Sequence, residues 1–452
     1  MDYLSLKDSI AALSTPHAEG AIAIIRLSGN DAIDIVSKIY SGPIKTYKSH
    51  TIHYGNILDK NKQIIDHVLL LIMLAPNSYT KENIVEIHCH GSLIIAKKIL
   101  ERILENGARA ALPGEFTFRA FNNKKLDLLQ AEAIKDLIAA KNELALKFAS
   151  SQLDGKLSFK IKKIQDELIN IAAFFEASLD FPDDDDFGTR MQHISSLEAI
   201  LKEINEFILT FNNGQKLNSD LSLCIIGSPN VGKSTLMNLL LGKQRAIVTP
   251  IAGTTRDILE ETMLLNKLSF KLIDTAGIRT TKKTIEQEGI KRAKESFKKA
   301  DFTLLVLDSS RPLNNVDKQL LKQIDEKSTL VIWNKIDLQK PTTQLNIPNI
   351  ISISAAHDSS LPSLCDAIEK MVLKITLPTT DEIIITNVRH KNCLQEAYNY
   401  GIKAMHNLKE NISLELVLAD LKASLNSLNG IIGIDVTEDI LEKIFSQFCI
   451  GK

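Results

Sequence analysis

Lys233 and Ser234 close the run GSPNVGKS, Gly227–Ser234, which has the spacing G-x-x-x-x-G-K-[ST]. Each residue type answers a need of phosphate chemistry. Glycines let the backbone curl round a phosphate, so that successive N–H groups form an anion nest at a helix N-terminus. The lysine reaches the β- and γ-phosphates, and the serine hydroxyl ligates Mg²⁺. Further segments follow in the order that a guanine-nucleotide switch requires. GTTRD (Gly253–Asp257) supplies Thr255, a second hydroxyl for Mg²⁺ when the γ-phosphate is bound. DTAG (Asp274–Gly277) supplies Asp274, able to hold Mg²⁺ through water, and the Gly277 N–H, able to sense the γ-phosphate. NKID (Asn334–Asp337) supplies Asp337. Its carboxylate accepts from the guanine N1–H and 2-amino group, a pair that adenine does not offer. Ser354, Ala355 and Ala356 follow a strand-like run and offer a backbone N–H to the guanine carbonyl. A GTP site is therefore expected from Asn230, Val231, Gly232, Lys233, Ser234 and Thr235 in the first segment. Thr249, Pro250, Ile251, Ala252, Gly253, Thr254 and Thr255 form its second wall, and Asp274, Thr275, Ala276 and Gly277 its third. Asn334, Lys335 and Asp337 complete it with Ser354–Ala356. The Mg²⁺ ligands are expected to be Ser234 and Thr255.

The elements that must hold these loops are legible beside them. LSLCII (Leu221–Ile226), SFKLI, TLVIW (Thr329–Trp333) and IISI each run apolar into a motif, as buried strands of a parallel sheet do. Outside this unit the prolines divide the chain. None occurs between Pro113 and Pro182, or after Pro378. Both gaps carry helical periodicity, through Leu128, Ala131, Ile134, Leu137 and Ile138, and through Leu414, Leu418, Leu421 and Leu425. The simplest arrangement packs the two stretches together with the GTP-binding unit inserted between them. Before Pro113, strands are expected at Ala21–Leu27, His67–Leu74 and Ile84–Cys89, with helices near Ala32–Tyr40 and Leu93–Glu105. That is an α+β domain.

Composition narrows the partners. With 54 Lys plus Arg against 55 Asp plus Glu in 452 residues, the chain has no global basic field for non-specific nucleic-acid binding. The N-terminus lacks a leader pattern, and Val68–Ala75 is too short to span a bilayer, so a soluble cytoplasmic protein without membrane contact is expected. Five cysteines without a C-x-x-C pair fit a reducing compartment. In His88-Cys89-His90, strand alternation sends the thiol away from both imidazoles, which disfavours a metal site. The acidic run Asp183–Asp186 reads as a solvated helix end, and Gly430–Gly433 (GIIG) as a turn between helices.

Several longer stretches resemble one family, the MnmE (TrmE) tRNA-modification GTPases. They are STP…GAIAIIRLSG (Ser14–Gly29), NSYTKENIVEIHCHG (Asn77–Gly91), LPGEFTFRAFNNKKLDLLQAEAIKDLI (Leu112–Ile138), LDFPDDDD and the terminal FCIGK (Phe448–Lys452). The resemblance spans essentially the whole chain and implies a multidomain α/β architecture. An N-terminal α+β folate-binding and dimerising domain would occupy 1–118. A discontinuous all-α helical domain would occupy 119–215 and 376–452, and a Ras-like P-loop GTPase domain 216–375. It further implies a homodimer that works with an MnmG-type FAD protein in a heterotetramer or larger assembly. Together they would add an aminomethyl or carboxymethylaminomethyl group to the 5-carbon of the wobble uridine of certain tRNAs. The one-carbon unit would come from 5,10-methylene- or 5-formyl-tetrahydrofolate, with Arg26, Glu86, Lys125 and Lys452 at the folate. Ile278 stands where Ras-type GTPases carry the glutamine that orients water, so catalysis must come from elsewhere. By resemblance, a K⁺ held by Asn230 and the carbonyls of Thr249, Ile251 and Thr254 takes an arginine finger's place, and Glu286 activates water. Cys449 is a candidate nucleophile toward the one-carbon unit or the uracil ring. NNKK (Asn122–Lys125) puts Lys124 where the family has the glycine of N-G-K. A ribosome-assembly GTPase of the Era or Der type, or a pure signalling switch, are the competing readings.

Overall fold

The computed structural model describes residues 8–181, 187–217, 220–243, 262–266, 268–273, 300–376, 383–410 and 412–451. The chain divides into two compact units, one of Met1–Lys135, Ser151–Leu197 and Asn399–Lys452, the other of Asp136–Ser150 and Glu198–Tyr398.

The first unit opens with a six-stranded sheet built from β1 (Ile10–Leu13), β2 (Ile22–Ser28), β3 (Thr51–Leu58), β4 (Ile64–Met73), β5 (Ile84–His90) and β6 (Arg109–Ala110). Its order is β3-β4-β5-β2-β1-β6. Alternation along the strands decides which side chains meet. Ala23, Ile25 and Leu27 of β2 and Val85, Ile87 and Cys89 of β5 face helices α1 (Ala32–Ser37) and α2 (Leu93–Glu105) in one core. The intervening residues take the opposite face, and the antiparallel register sets Arg26 directly across from Glu86. Cys89 is buried in that core while His90 lies outside, its Nδ1 2.7 Å from Asp66 Oδ1. The expected helix near Ala32–Tyr40 is shorter than its apolar pattern, because Gly42 and Pro43 follow and Ile39 and Tyr40 leave the helix to pack in the core.

Helices make up the rest of this unit: α3 (Glu115–Asn122), most of α4 (Leu128–Ala139), α6 (Lys156–Asp180), the start of α7 (Phe187–Leu217), the end of α11 (Val388–Lys409), α12 (Leu414–Ile432) and α13 (Glu438–Phe445). The expected pairing of the two proline-poor stretches is present. Ile161, Ile164, Leu168 and Phe175 of α6 and Leu418, Leu421 and Leu428 of α12 are all buried at helical spacing. Gln165 Nε2 donates to Asn429 Oδ1 at 2.8 Å across that pair. Leu128 and Ala131 join Phe118, Leu441, Phe445 and Phe448 in a second cluster, but Ile138 at the end of the same stripe is exposed. Gly430 belongs to the last turn of α12 and Gly433 is its left-handed cap, so the GIIG run closes that helix. Asp183–Asp186 lie outside the described residues.

The second unit is a sheet of order β12-β11-β10-β7-β9-β8, parallel except for the β8–β9 pair. Its strands are β7 (Leu221–Ile226), β8 (Thr262–Leu265), β9 (Leu268–Ile273), β10 (Phe302–Asp308), β11 (Thr329–Asn334) and β12 (Ile350–Ser352). Both faces are covered, which is why the strands read as continuous apolar runs. Leu223, Ile225, Leu304 and Val306 pack with α8 (Lys233–Lys243) and α10 (Leu361–Thr376). Cys224, Ile226, Leu305 and Leu307 point the other way, toward Leu320 of α9 (Asn315–Leu321). Helix α5 (Glu143–Leu153) starts in this unit. Among the described residues, no helix is long and apolar enough to cross a membrane, and no group of three or more His, Cys, Asp or Glu could hold a metal ion.

Candidate active site

Every described GTP motif lies at the carboxyl edge of the parallel sheet. The strand after β9 in sequence, β10, sits on the other side of β7, so the loop Gly227–Gly232 emerges at a point where the chain switches direction across the sheet. Ligands of open α/β sheets bind at such points. The loop is held open by backbone that only some residues adopt: Asn230 has φ +63° and Gly232 φ +98°. A Cβ on Gly232 would lie 2.3 Å from Asn334 Nδ2, so glycine is required there twice over. Lys233 begins α8 and its Nζ donates back to the carbonyls of Gly227 (2.9 Å) and Ser228 (2.7 Å), which sets the ammonium inside the loop's curve. Burial pushes this ammonium below the usual lysine value, and the charge of Asp317 opposes the shift. Ser234 follows at the helix start, exposed where a Mg²⁺ ligand must be.

Asn334, expected at the nucleotide, also braces the site. Its Nδ2 donates to Val231 O at 2.8 Å, and its Oδ1 accepts from Ala355 N at 2.8 Å. The buried amide thus ties the phosphate loop to the Ser354–Ala356 loop. Lys335 acts similarly, donating to Asn230 O at 2.8 Å and to Asp308 Oδ2 at 2.7 Å. Asp337 stays exposed, and the Ser354 hydroxyl beside it holds its carboxyl below the usual range. It is therefore a charged acceptor at neutral pH, as a guanine contact must be. Thr249, Pro250, Ile251, Ala252, Gly253, Thr254, Thr255, Asp274, Thr275, Ala276, Gly277 and Glu286 lie outside the described residues.

A second site is built on the outer face of the N-terminal sheet. Arg26 Nε donates to Glu86 Oε1 at 2.8 Å, the cross-strand pair that the register dictates. The guanidinium carbon lies 5.7 Å from the ring centroids of both Tyr79 and Phe116. Lys125 Nζ donates to Ser78 O at 2.5 Å and lies 6.0 Å from the Tyr79 ring. The chain terminus closes on this cluster. Phe445 and Phe448 are buried against Phe118, and beyond them Gly451 O accepts from Arg26 Nη1 (3.3 Å) and Ser14 Oγ (3.2 Å). Gly451 has φ +92°, and a Cβ there would lie 2.6 Å from Leu13 O, so only glycine follows this path. Cys449 is exposed, its carbonyl accepting from Gly114 N at 3.4 Å. Lys452 lies outside the described residues. Tyr79 and Phe116 were not singled out from sequence, although both fall in the segments quoted for the resemblance. Lys124 has φ +55°, so this chain carries a lysine in a conformation that suits the family's glycine.

A parallel sheet with a phosphate loop at its switch point, braced by an N-K-x-D loop, defines a GTP-hydrolysing enzyme of the P-loop class. Two family models match: "MnmE helical domain" over residues 128–449 and "GTP-binding protein TrmE N-terminus" over residues 9–125. The chain belongs to the MnmE family. It is 48% identical to a tRNA modification GTPase MnmE of Protochlamydia amoebophila, covering 98% of both chains. It is 42% identical to one of Alkaliphilus oremlandii, covering 99% of this chain and 100% of that one. Among solved structures, the G domain of the T. maritima FeoB iron transporter is similar at TM-score 0.25 and 24% identity, over 34% of this chain and 99% of that one.

Proposed function

We propose that this chain couples GTP hydrolysis to modification of the wobble uridine of certain tRNAs. It acts as a homodimer with an MnmG-type FAD protein and adds an aminomethyl or carboxymethylaminomethyl group at the 5-carbon. The observation that carries this reading is the Arg26 cluster with the chain terminus seated on it. A nucleotide switch has no use for such a site, and neither does an Era- or Der-type assembly factor. Its chemistry suits a reduced folate. Arg26 and Lys125 offer cations, Glu86 an acceptor for pterin N–H groups, and Tyr79 a flat partly buried ring. A bound 5,10-methylene- or 5-formyl-tetrahydrofolate would supply the one-carbon unit. Arg26, Glu86, Lys125 and Lys452 hold it, and Cys449 brings a thiol nucleophile on the same terminal segment. The domains are 1–118 for folate and dimerisation, 119–215 with 376–452 for the helices, and 216–375 for GTP.

The test uses one preparation for two activities. Arg26→Ala should weaken 5-formyl-tetrahydrofolate binding by about tenfold, the loss of one charge-assisted contact. Cys449→Ser should abolish uridine modification. Both variants should keep GTP turnover near normal. Unchanged folate binding in the first, or full modification in the second, sinks the corresponding role.

In the GTPase cycle, Asn230 and the carbonyls of Thr249, Ile251 and Thr254 hold K⁺ beside the phosphates. Glu286 activates water, and Mg²⁺ rests on Ser234 and Thr255. The left-handed Asn230, pinned by Lys335 at its carbonyl, leaves its side chain exposed at the loop's edge, which suits a ligand. K⁺ should speed turnover well above Na⁺, and Asn230→Ala should remove most of that difference with nucleotide binding retained. Turnover indifferent to the alkali ion speaks against the site. For the dimer, strands β3 and β4 expose Ile52 (59%), Tyr54 (70%) and Leu69 (45%) on one sheet face, an apolar patch suited to a second copy. A monomer in sedimentation at micromolar concentration would contradict it.

A further inference from the structure

We propose that Asp317, which lies outside every nucleotide motif, is a positioning residue of the GTP site: its buried carboxylate fixes Ser228 and thereby the shape of the phosphate loop. Ser228 is the second residue of that loop and is fully buried. A hydroxyl so placed must find a partner. It donates to Asp317 Oδ1 at 2.5 Å, with Asn314 Oδ1 farther off at 3.4 Å. The carbonyl of the same serine accepts from Lys233 Nζ at 2.7 Å. One residue therefore joins the phosphate-binding lysine to a carboxylate 89 positions downstream.

The carboxylate is itself held rigidly. Asp317 is 1% exposed, and its Oδ2 accepts from Arg311 Nη1 at 2.9 Å and from Asn314 N at 3.1 Å. Its own N–H donates to Asn314 Oδ1 at 2.7 Å, completing a reciprocal cap on α9. A cap alone needs no burial and no second oxygen pointed away from the helix. Here one oxygen serves the cap and Arg311, and the other serves the phosphate loop. The preceding segment braces the loop a second time, because Asp308 holds Lys335, which holds the Asn230 carbonyl. A buried carboxylate near Lys233 also favours the charged ammonium that phosphates require.

The experiment titrates the full chain with a fluorescent GDP analogue and measures GTP turnover on the same samples. Asp317→Ala and Ser228→Ala should each weaken GDP binding by about tenfold and raise KM by the same factor, with kcat changed less than threefold. The double variant should be no weaker than Asp317→Ala, since both changes remove one interaction. Asp317→Asn keeps its one amide oxygen for the Asn314 N–H and Arg311, while its amide N–H donates to Ser228 Oγ, so the loop stays tied and most of the affinity should be recovered. Asn314→Ala cuts the cap but leaves the Ser228–Asp317 bond, and should cost less than threefold. Additive losses, wild-type affinity in Asp317→Ala, or an Asn314→Ala as weak as Asp317→Ala would overturn the proposal. Should Asp317→Ala not fold, Ser228→Ala decides alone: unchanged GDP affinity there overturns it.

Discussion

Gly232→Ala should lower guanine-nucleotide affinity by about 100-fold, although it adds no more than one methyl group. Two costs combine. At φ +98° an alanine is strained by about 1–2 kcal/mol. Its Cβ would also lie 2.3 Å from Asn334 Nδ2, so the amide or the loop must move. That amide bridges Val231 O and Ala355 N, both at 2.8 Å, and is buried. Losing one such bond costs a further ~1–3 kcal/mol. The sum is about 3 kcal/mol, or about two decades in affinity. Calorimetric titration with GDP checks it, alongside circular dichroism to establish that the variant folds. Affinity within threefold of wild type would mean that the loop relaxes freely and that Asn334 is no brace.

Asp337→Asn should cost GTP affinity on a similar scale and change the base preferred. An amide side chain accepts at one oxygen and donates at its nitrogen, so it no longer matches the paired donors of guanine. Each charge-assisted bond lost is worth about 1.5–3 kcal/mol. Xanthine carries a carbonyl in place of the 2-amino group, and the new amide N–H pairs with it. The ratio of GTP to xanthosine triphosphate affinity should therefore fall by about 100-fold or more, read from competition titrations. Equal GTP affinity in the two proteins would remove Asp337 from the base. The exposed position of Asp337 makes this a test of recognition, because the substitution disturbs no packing.

Much of the nucleotide site is written locally. Each strand-like run ends in its loop, and the loops need particular residues for reasons of backbone space and charge. What local pattern does not carry is how the loops hold one another. Asn334 is legible as part of the nucleotide site, but the reach of its amide to two loops 21 and 103 positions away is not. Ser228, Asp308 and Asp317 gave no signal, because a short polar residue in a loop, at a strand end or in a helix's first turn looks the same whether exposed or buried. Strand β10, Phe302–Asp308, carries no motif and was not anticipated, though it is the central neighbour of β7. In the N-terminal domain the strand periodicity placed β2, β4 and β5, but the four-residue β1 is too short to show any. The Arg26–Gly451 contact joins positions 425 apart, and only the resemblance of the FCIGK terminus hinted at it. Ile138 shows the converse failure: it fits an apolar stripe yet is 43% exposed, because a helix's last turn can outrun the surface it packs on.

The central claim is that this GTPase serves tRNA modification, and nucleoside mass spectrometry of tRNA from cells lacking the chain tests it most directly. The account predicts loss of the aminomethyl and carboxymethylaminomethyl groups from wobble uridines, restored by the wild-type chain and not by Gly232→Ala. Wobble uridines unaltered in the deletion would contradict it, and would turn the Arg26 cluster and the seated terminus into features in need of another explanation.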